Sequence, residues 1–184
     1  MDHSSKGRSL VMLSRLFAPR APVLAGRRLY AAAVAQARQP GFYAQLGAPD
    51  TPEGRFELYT LHVVVLLHRL KRHGPRATET AQALFDAYVR GLDDGLREMG
   101  VGDLSVGRKM RKLGEAFYGR AKITDQALEA LPDEAPLSAL IGRTLPGADA
   151  AAFAGYAGRA RDCLASQTLE PLLEGEVHWP RIVE

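Results

Sequence analysis

Residues 51–72, TPEGRFELYTLHVVVLLHRLKR, place the strongest constraint on the fold. Thr51 can accept a hydrogen bond from an early helical N–H, Pro52 suits the first helical position, and Glu53 faces the positive end of the helix dipole. A helix is expected from there to about Arg72. Its centre, LHVVVLLHRL, is apolar on nearly every side. A helix without a polar face has to be packed all round, so other elements must surround this segment. The chain of 184 residues, 46% of them apolar, is long enough for one domain with its own core.

The rest of the chain offers helical spacing repeatedly and no convincing strand alternation. Residues 24–37 read as a helix with Leu29, Tyr30, Ala33, Val34 and Ala37 inward. Residues 39–54, QPGFYAQLGAPDTPEG, hold three prolines and three glycines and read mostly as loop. Gly74-Pro75 stops the central helix. The next helix is expected from a Thr78 cap to about Met99. Its buried stripe is Leu84, Phe85, Tyr88, Leu92, Leu96 and Met99, and Asp86/Arg90 and Asp93/Arg97 form i,i+4 pairs outside. Gly91 and Gly95 inside it cost roughly 1 kcal/mol each relative to alanine, which points to close approach by a neighbour. Further helices are expected at 104–118, with Val106, Met110, Leu113 and Phe117 in register, and at 122–131, 135–143 and 148–166. The tail, LEPLLEGEVHWPRIVE, lacks periodicity. The expected fold is an all-α, single-domain helical bundle over 21–168, with a basic arm at 1–20 and a C-terminal tail at 169–184.

Charge is unevenly distributed. The net charge of +3 divides into +6 over residues 1–49, where seven Lys/Arg meet one acid, and −3 over residues 50–184, where 17 Lys/Arg meet 20 acids. A uniformly basic nucleic-acid binder would not have an acidic body, and no DNA partner is expected. No apolar run approaches the roughly 20 residues of a membrane span. Residues 8–17, RSLVMLSRLF, form a short basic amphipathic segment in which Arg8, Leu13, Arg15, Leu16 and Phe17 could meet an anionic membrane surface. The same segment could dock on the body as a helix, or belong to an organellar transit peptide. Arg15 interrupts the apolar stretch, so a cleaved signal peptide is not expected.

Little in the sequence points to catalysis. The stretch GVGDLSVG at 100–107 follows a helix rather than a strand and lacks Gly-Lys-Ser/Thr, so it does not read as a phosphate loop. Gly100 reads as a left-handed helix terminator and Asp103 as the cap of the next helix. The following run carries Arg108, Lys109, Arg111, Lys112, Arg120 and Lys122 against one acid, Glu115. It reads as a solvated face or, with Phe117 and Tyr118, as an RNA- or ribosome-binding helix over 108–122. His62 and His68 stand six apart and share no helix face as metal ligands would. His62 reads as a hydrogen-bonded core or groove residue, and Cys163 as a small core residue. No cofactor, metal or catalytic group is expected.

Two blocks carry a family resemblance. ARQPGFYAQLGAPDTPEGRFELYTLHVVVLLHRLK at 37–71 and ALFDAYVRGLDDGLREMGVGDLSVGRKMRKLGEAFYGRA at 83–121 resemble the ubiquinol–cytochrome c chaperone family. The resemblance fades after about residue 130. Where family members often carry an Arg-Asn pair, this chain has Arg143-Thr144. The resemblance implies a non-enzymatic assembly factor that binds newly made cytochrome b during biogenesis of ubiquinol–cytochrome c reductase, acting with a small partner protein and the ribosome. Composition favours a bacterial protein, placed by the resemblance at the inner face of the cytoplasmic membrane, or at the mitochondrial matrix side if eukaryotic. Polar residues in the matching blocks that simple packing does not explain are the candidate client contacts. They are Arg55, His62, Asp86, Asp93, Arg97, Asp103, Lys112, Tyr118 and Arg120.

Overall fold

A computed structural model describes residues 21–182. The candidate membrane-surface residues Arg8, Leu13, Arg15, Leu16 and Phe17 lie outside the described residues. The helices are α1 (Ala21–Ala37), α2 (Pro40–Ala44), α3 (Pro52–Leu70), α4 (Pro75–Glu98), α5 (Asp103–Glu129), α6 (Ala135–Thr144), α7 (Ala150–Ser166) and α8 (Leu169–Glu174). No strand occurs among the described residues, so the all-α bundle is the observed fold.

The central helix forms as its residues require. Thr51 accepts a hydrogen bond from the Gly54 N–H at 3.1 Å, and Pro52 opens α3. Leu61, His62, Val63, Val64, Val65 and Leu66 are all buried, and α1, α4, α5 and α7 pack around them. The helix ends at Leu70, two residues early, because Lys71 turns extended and Arg72 adopts φ 65°. Tyr88, Tyr156, Phe42 and Phe153 are fully buried in the surrounding core. Each such side chain contributes roughly 1.5–3 kcal/mol of transfer free energy.

Several local expectations are corrected. Residues 40–44 form the short helix α2, with Phe42 fully buried. The two helices expected at 104–118 and 122–131 are one, α5. Charged residues at 120 and 122 mask an unbroken inward register of Phe117, Thr124, Ala127 and Leu128. Gly74, at φ 86°, takes the cap position of α4 in place of Thr78, whose hydroxyl donates back to the Gly74 carbonyl at 3.1 Å. Gly102 caps α5 and Asp103 is its first residue. Met99 is 57% exposed, because α4 has ended one residue before it. The Arg90 Nε donates to the Asp86 carbonyl rather than its carboxylate, which accepts from Gln82. Cys163 is half-buried, and its thiol donates to the His178 carbonyl at 3.5 Å. Within the tail, α8 inserts Leu172 and Leu173 into the core.

Gly100 does terminate α4. At φ 77° it donates to the Arg97 carbonyl at 2.9 Å, and Val101 donates to the Leu96 carbonyl at 3.1 Å. This is the double bond of a Schellman stop.

Two glycines set the spacing of α1 against α4. A Cβ on Gly26 would stand 2.5 Å from the Ala83 carbonyl carbon, and one on Gly91 would collide with the Tyr30 hydroxyl. Gly95 and Gly119 face open space, so the close approach expected at Gly95 is absent. Gly26→Ala is therefore expected to destabilise by about 1–3 kcal/mol through overpacking. Gly119→Ala should stabilise by up to about 1 kcal/mol through helix propensity. Urea unfolding midpoints measure both.

Candidate client-binding groove

An open groove of about 1260 Å³ surrounds the N-terminal end of α3. It is walled by the second half of α1, the start of α3, the end of α4 and the first third of α5. Its apolar lining includes Val34, Phe56, Tyr59, Leu92, Leu96, Met99 and Leu113. Small-molecule clefts occupy about 300–1,000 Å³, so this space fits a polypeptide segment better than a metabolite.

Charged residues line the same groove. Arg38, Asp50, Glu53, Arg55, Glu57, Asp94, Glu98, Lys109 and Lys112 all contribute. Some are engaged within the protein. The Arg55 Nε donates to Asp50 Oδ1 at 2.6 Å, and the Arg38 Nε donates to the Tyr59 hydroxyl at 3.0 Å. Arg120 makes a two-pronged contact with Glu57, at 2.8 and 2.7 Å, tying α5 to α3. The Glu57 side chain is only 11% exposed, so losing its partner would leave a largely buried carboxylate unpaired, a costly change.

The candidate contact residues therefore fall in different places. Arg55 and Lys112 line the groove, and Arg120 braces Glu57 at its wall. Asp93 and Arg97 pair with each other at 2.8 Å on α4, and Asp86 is exposed on the same helix. Tyr118 is 65% exposed and its ring packs on Phe85 and Phe117. Asp103 stands at the start of α5. Lys109, from the basic run, also lines the groove, as do Asp94 and Glu98, which carry no distinguishing mark in the sequence because charges at helical spacing read as a solvated face.

His62 does not reach the groove. It lies 1% exposed in the core, where Nδ1 donates to the Leu58 carbonyl at 2.8 Å. A carbonyl only accepts, so Nδ1 carries the proton and Nε2 accepts from the Tyr156 hydroxyl at 2.8 Å. Tyr156 accepts in turn from Gln36 at 3.1 Å. The chain of bonds links α1, α7 and α3, and Trp179 closes over the imidazole with ring centroids 5.1 Å apart. Tyr156 and Trp179 are partners that spacing could not reveal, since they lie far along the sequence. At the other end of α3, His68 Nδ1 donates to Asp125 at 2.8 Å, and the Lys71 ammonium bonds Asp125 at 2.6 Å and Glu129 at 3.1 Å.

A family model described as ubiquinol-cytochrome C chaperone matches residues 44–179, which include most of the groove and the whole of α3. The chain belongs to the ubiquinol–cytochrome c chaperone family. Among its relatives is ubiquinol-cytochrome-c reductase complex assembly factor 1 of Xenopus laevis, 24% identical over 122 residues. That match covers 66% of this chain and 60% of the frog protein. The crystal structure of the Cbp3 homolog from Brucella abortus superposes with a TM-score of 0.82 at 35% identity, over 95% of this chain and 99% of that one. The chaperone-family fold is thus shared nearly end to end. No helix among the described residues is long and apolar enough to cross a membrane.

Burial holds the His62 pKa down to about 4. The folded value lies below the unfolded one, near 6.5, so the unfolded chain binds the extra proton and stability falls as pH drops through that window. Unfolding free energy should fall by about 2 kcal/mol between roughly pH 7.5 and pH 5 from this group. Urea titrations at both pH values, with His62→Gln flattening that part of the slope, test it.

Proposed function

We propose that this protein is a non-enzymatic chaperone that holds newly made cytochrome b while ubiquinol–cytochrome c reductase is assembled. The family membership supplies the class of activity, and the groove around α3 supplies a place for it. The frog relative is by its name an assembly factor of the same complex, though the match spans 60% of that protein's length.

The groove is the observation that carries the reading. A membrane-protein client is made before its partners arrive, and its exposed apolar surface favours aggregation. A chaperone without chemistry can act by covering that surface reversibly, which needs an open apolar trough rather than a closed pocket. The groove is open, walled by four helices and lined largely by apolar side chains. Such a trough suits a helical segment, whose backbone polar groups are satisfied internally. The protein works beside the membrane that receives the client.

Deleting the gene should lower the haem b signal in membrane difference spectra and reduce assembled ubiquinol–cytochrome c reductase. Ala31 and Ala35 are exposed on the α1 wall, so the double variant Ala31→Glu/Ala35→Glu should fold and yet fail to restore the complex. Ala139→Glu, exposed on α6, should restore it. Unchanged cytochrome b after deletion would refute the function, and full rescue by the groove variant would refute the groove's part in it.

A further inference from the structure

The groove is not a uniformly apolar slot. Glu53 stands at the start of α3, Asp94 and Glu98 lie one turn apart on α4, and Lys109 and Lys112 lie one turn apart on α5. The other lining charges are already paired or bonded, Arg55 with Asp50, Glu57 with Arg120 and Arg38 with Tyr59. Among the described residues, these five side chains make no hydrogen bond or ion pair, and the acids do not pair with the lysines. Two sets of opposite charge therefore face one groove, and all five residues are exposed.

A uniformly apolar segment, such as a membrane-spanning helix, would strip water from these charges and return nothing, which is strongly unfavourable. An extended segment would lay unpaired backbone N–H and C=O groups over apolar side chains, which is also unfavourable. A helix with one apolar face and charged flanks avoids both costs. We propose that the groove takes an amphipathic helix of mixed charge, with basic side chains meeting Glu53, Asp94 and Glu98 and acidic ones meeting Lys109 and Lys112. This rests on the groove being the client site, and it narrows the client segment. The chaperone grips an interfacial or loop helix and leaves the membrane-spanning helices free to insert. Charge complementarity of this kind sets specificity and register more than raw affinity.

The test uses the full chain and four labelled peptides of about five helical turns. All share one leucine-rich face. Their flanks carry lysine and glutamate together, lysine only, glutamate only, or glutamine only. Fluorescence anisotropy should show the mixed-charge peptide binding about tenfold tighter than each of the others, the scale of one to two ion pairs in partly desolvated surroundings. Asp94 and Glu98 are exposed, so Asp94→Lys/Glu98→Lys should fold, as circular dichroism would confirm, and should switch the preference to the glutamate-only peptide. Equal binding of all four peptides, abolished by Ala31→Glu/Ala35→Glu, would leave the groove as a client site and overturn its mixed-charge specificity. Binding of no peptide, or binding indifferent to the groove variant, would overturn both.

Discussion

The all-round burial of the centre of α3 is the constraint from which the rest of the structure follows. A helix with six consecutive buried residues, Leu61 to Leu66, needs neighbours on every side, and α1, α4, α5 and α7 provide them. Apolar packing alone would allow these helices to slide and rotate, since hydrophobic contact is non-directional. Directional bonds from α3 fix them. The Thr60 hydroxyl and the Tyr88 hydroxyl lie 2.8 Å apart and join α3 to α4. His62 joins it to α7 through Tyr156, and Glu57 joins it to α5 through Arg120. The Thr60–Tyr88 and His62–Tyr156 bonds are buried, so losing one partner there leaves a polar group without water or protein to replace it.

The groove is a consequence of where those bonds stop. Around the centre of α3 the neighbours close in, but the end of α4 and the first third of α5 border an open space beside its N-terminal end. There the apolar side chains of four helices face a common space that no further helix among the described residues fills. The core supplies rigidity, and the open end supplies a surface lined by apolar and charged side chains together. Pre-formed walls reduce the ordering cost of binding, which suits a chaperone that must hold and release a client.

What was legible in the sequence was local or periodic. The Thr51-Pro52 start, the Gly100 stop and the all-round burial of α3 each depend on residues close together in the chain, and the family blocks at 37–71 and 83–121 are contiguous strings. The unity of α5 was hidden because charge at Arg120 and Lys122 reads as a break, although Arg120 is held by Glu57 from another helix. Pattern alone leaves His62 as a core or groove residue and a candidate contact, because its partner Tyr156 lies 94 residues away and no spacing rule spans that distance. The groove was least legible. Apolar periodicity is the same for a side chain that meets the core and for one that lines a trough, so Leu92 and Leu113 look like ordinary core positions. Likewise Asp94 and Glu98 look like solvated charges until the fold turns them toward the same space as Lys109 and Lys112.

The central claim is that this space receives the client. The most direct measurement is site-specific photo-cross-linking in membranes making labelled respiratory subunits, with the probe at Ala35 or Leu113 in the groove and at Ala139 on the far helix α6. The expected result is a cross-link to newly made cytochrome b from positions 35 and 113 and none from 139. No groove cross-link, or one of equal strength from position 139, would contradict the assignment.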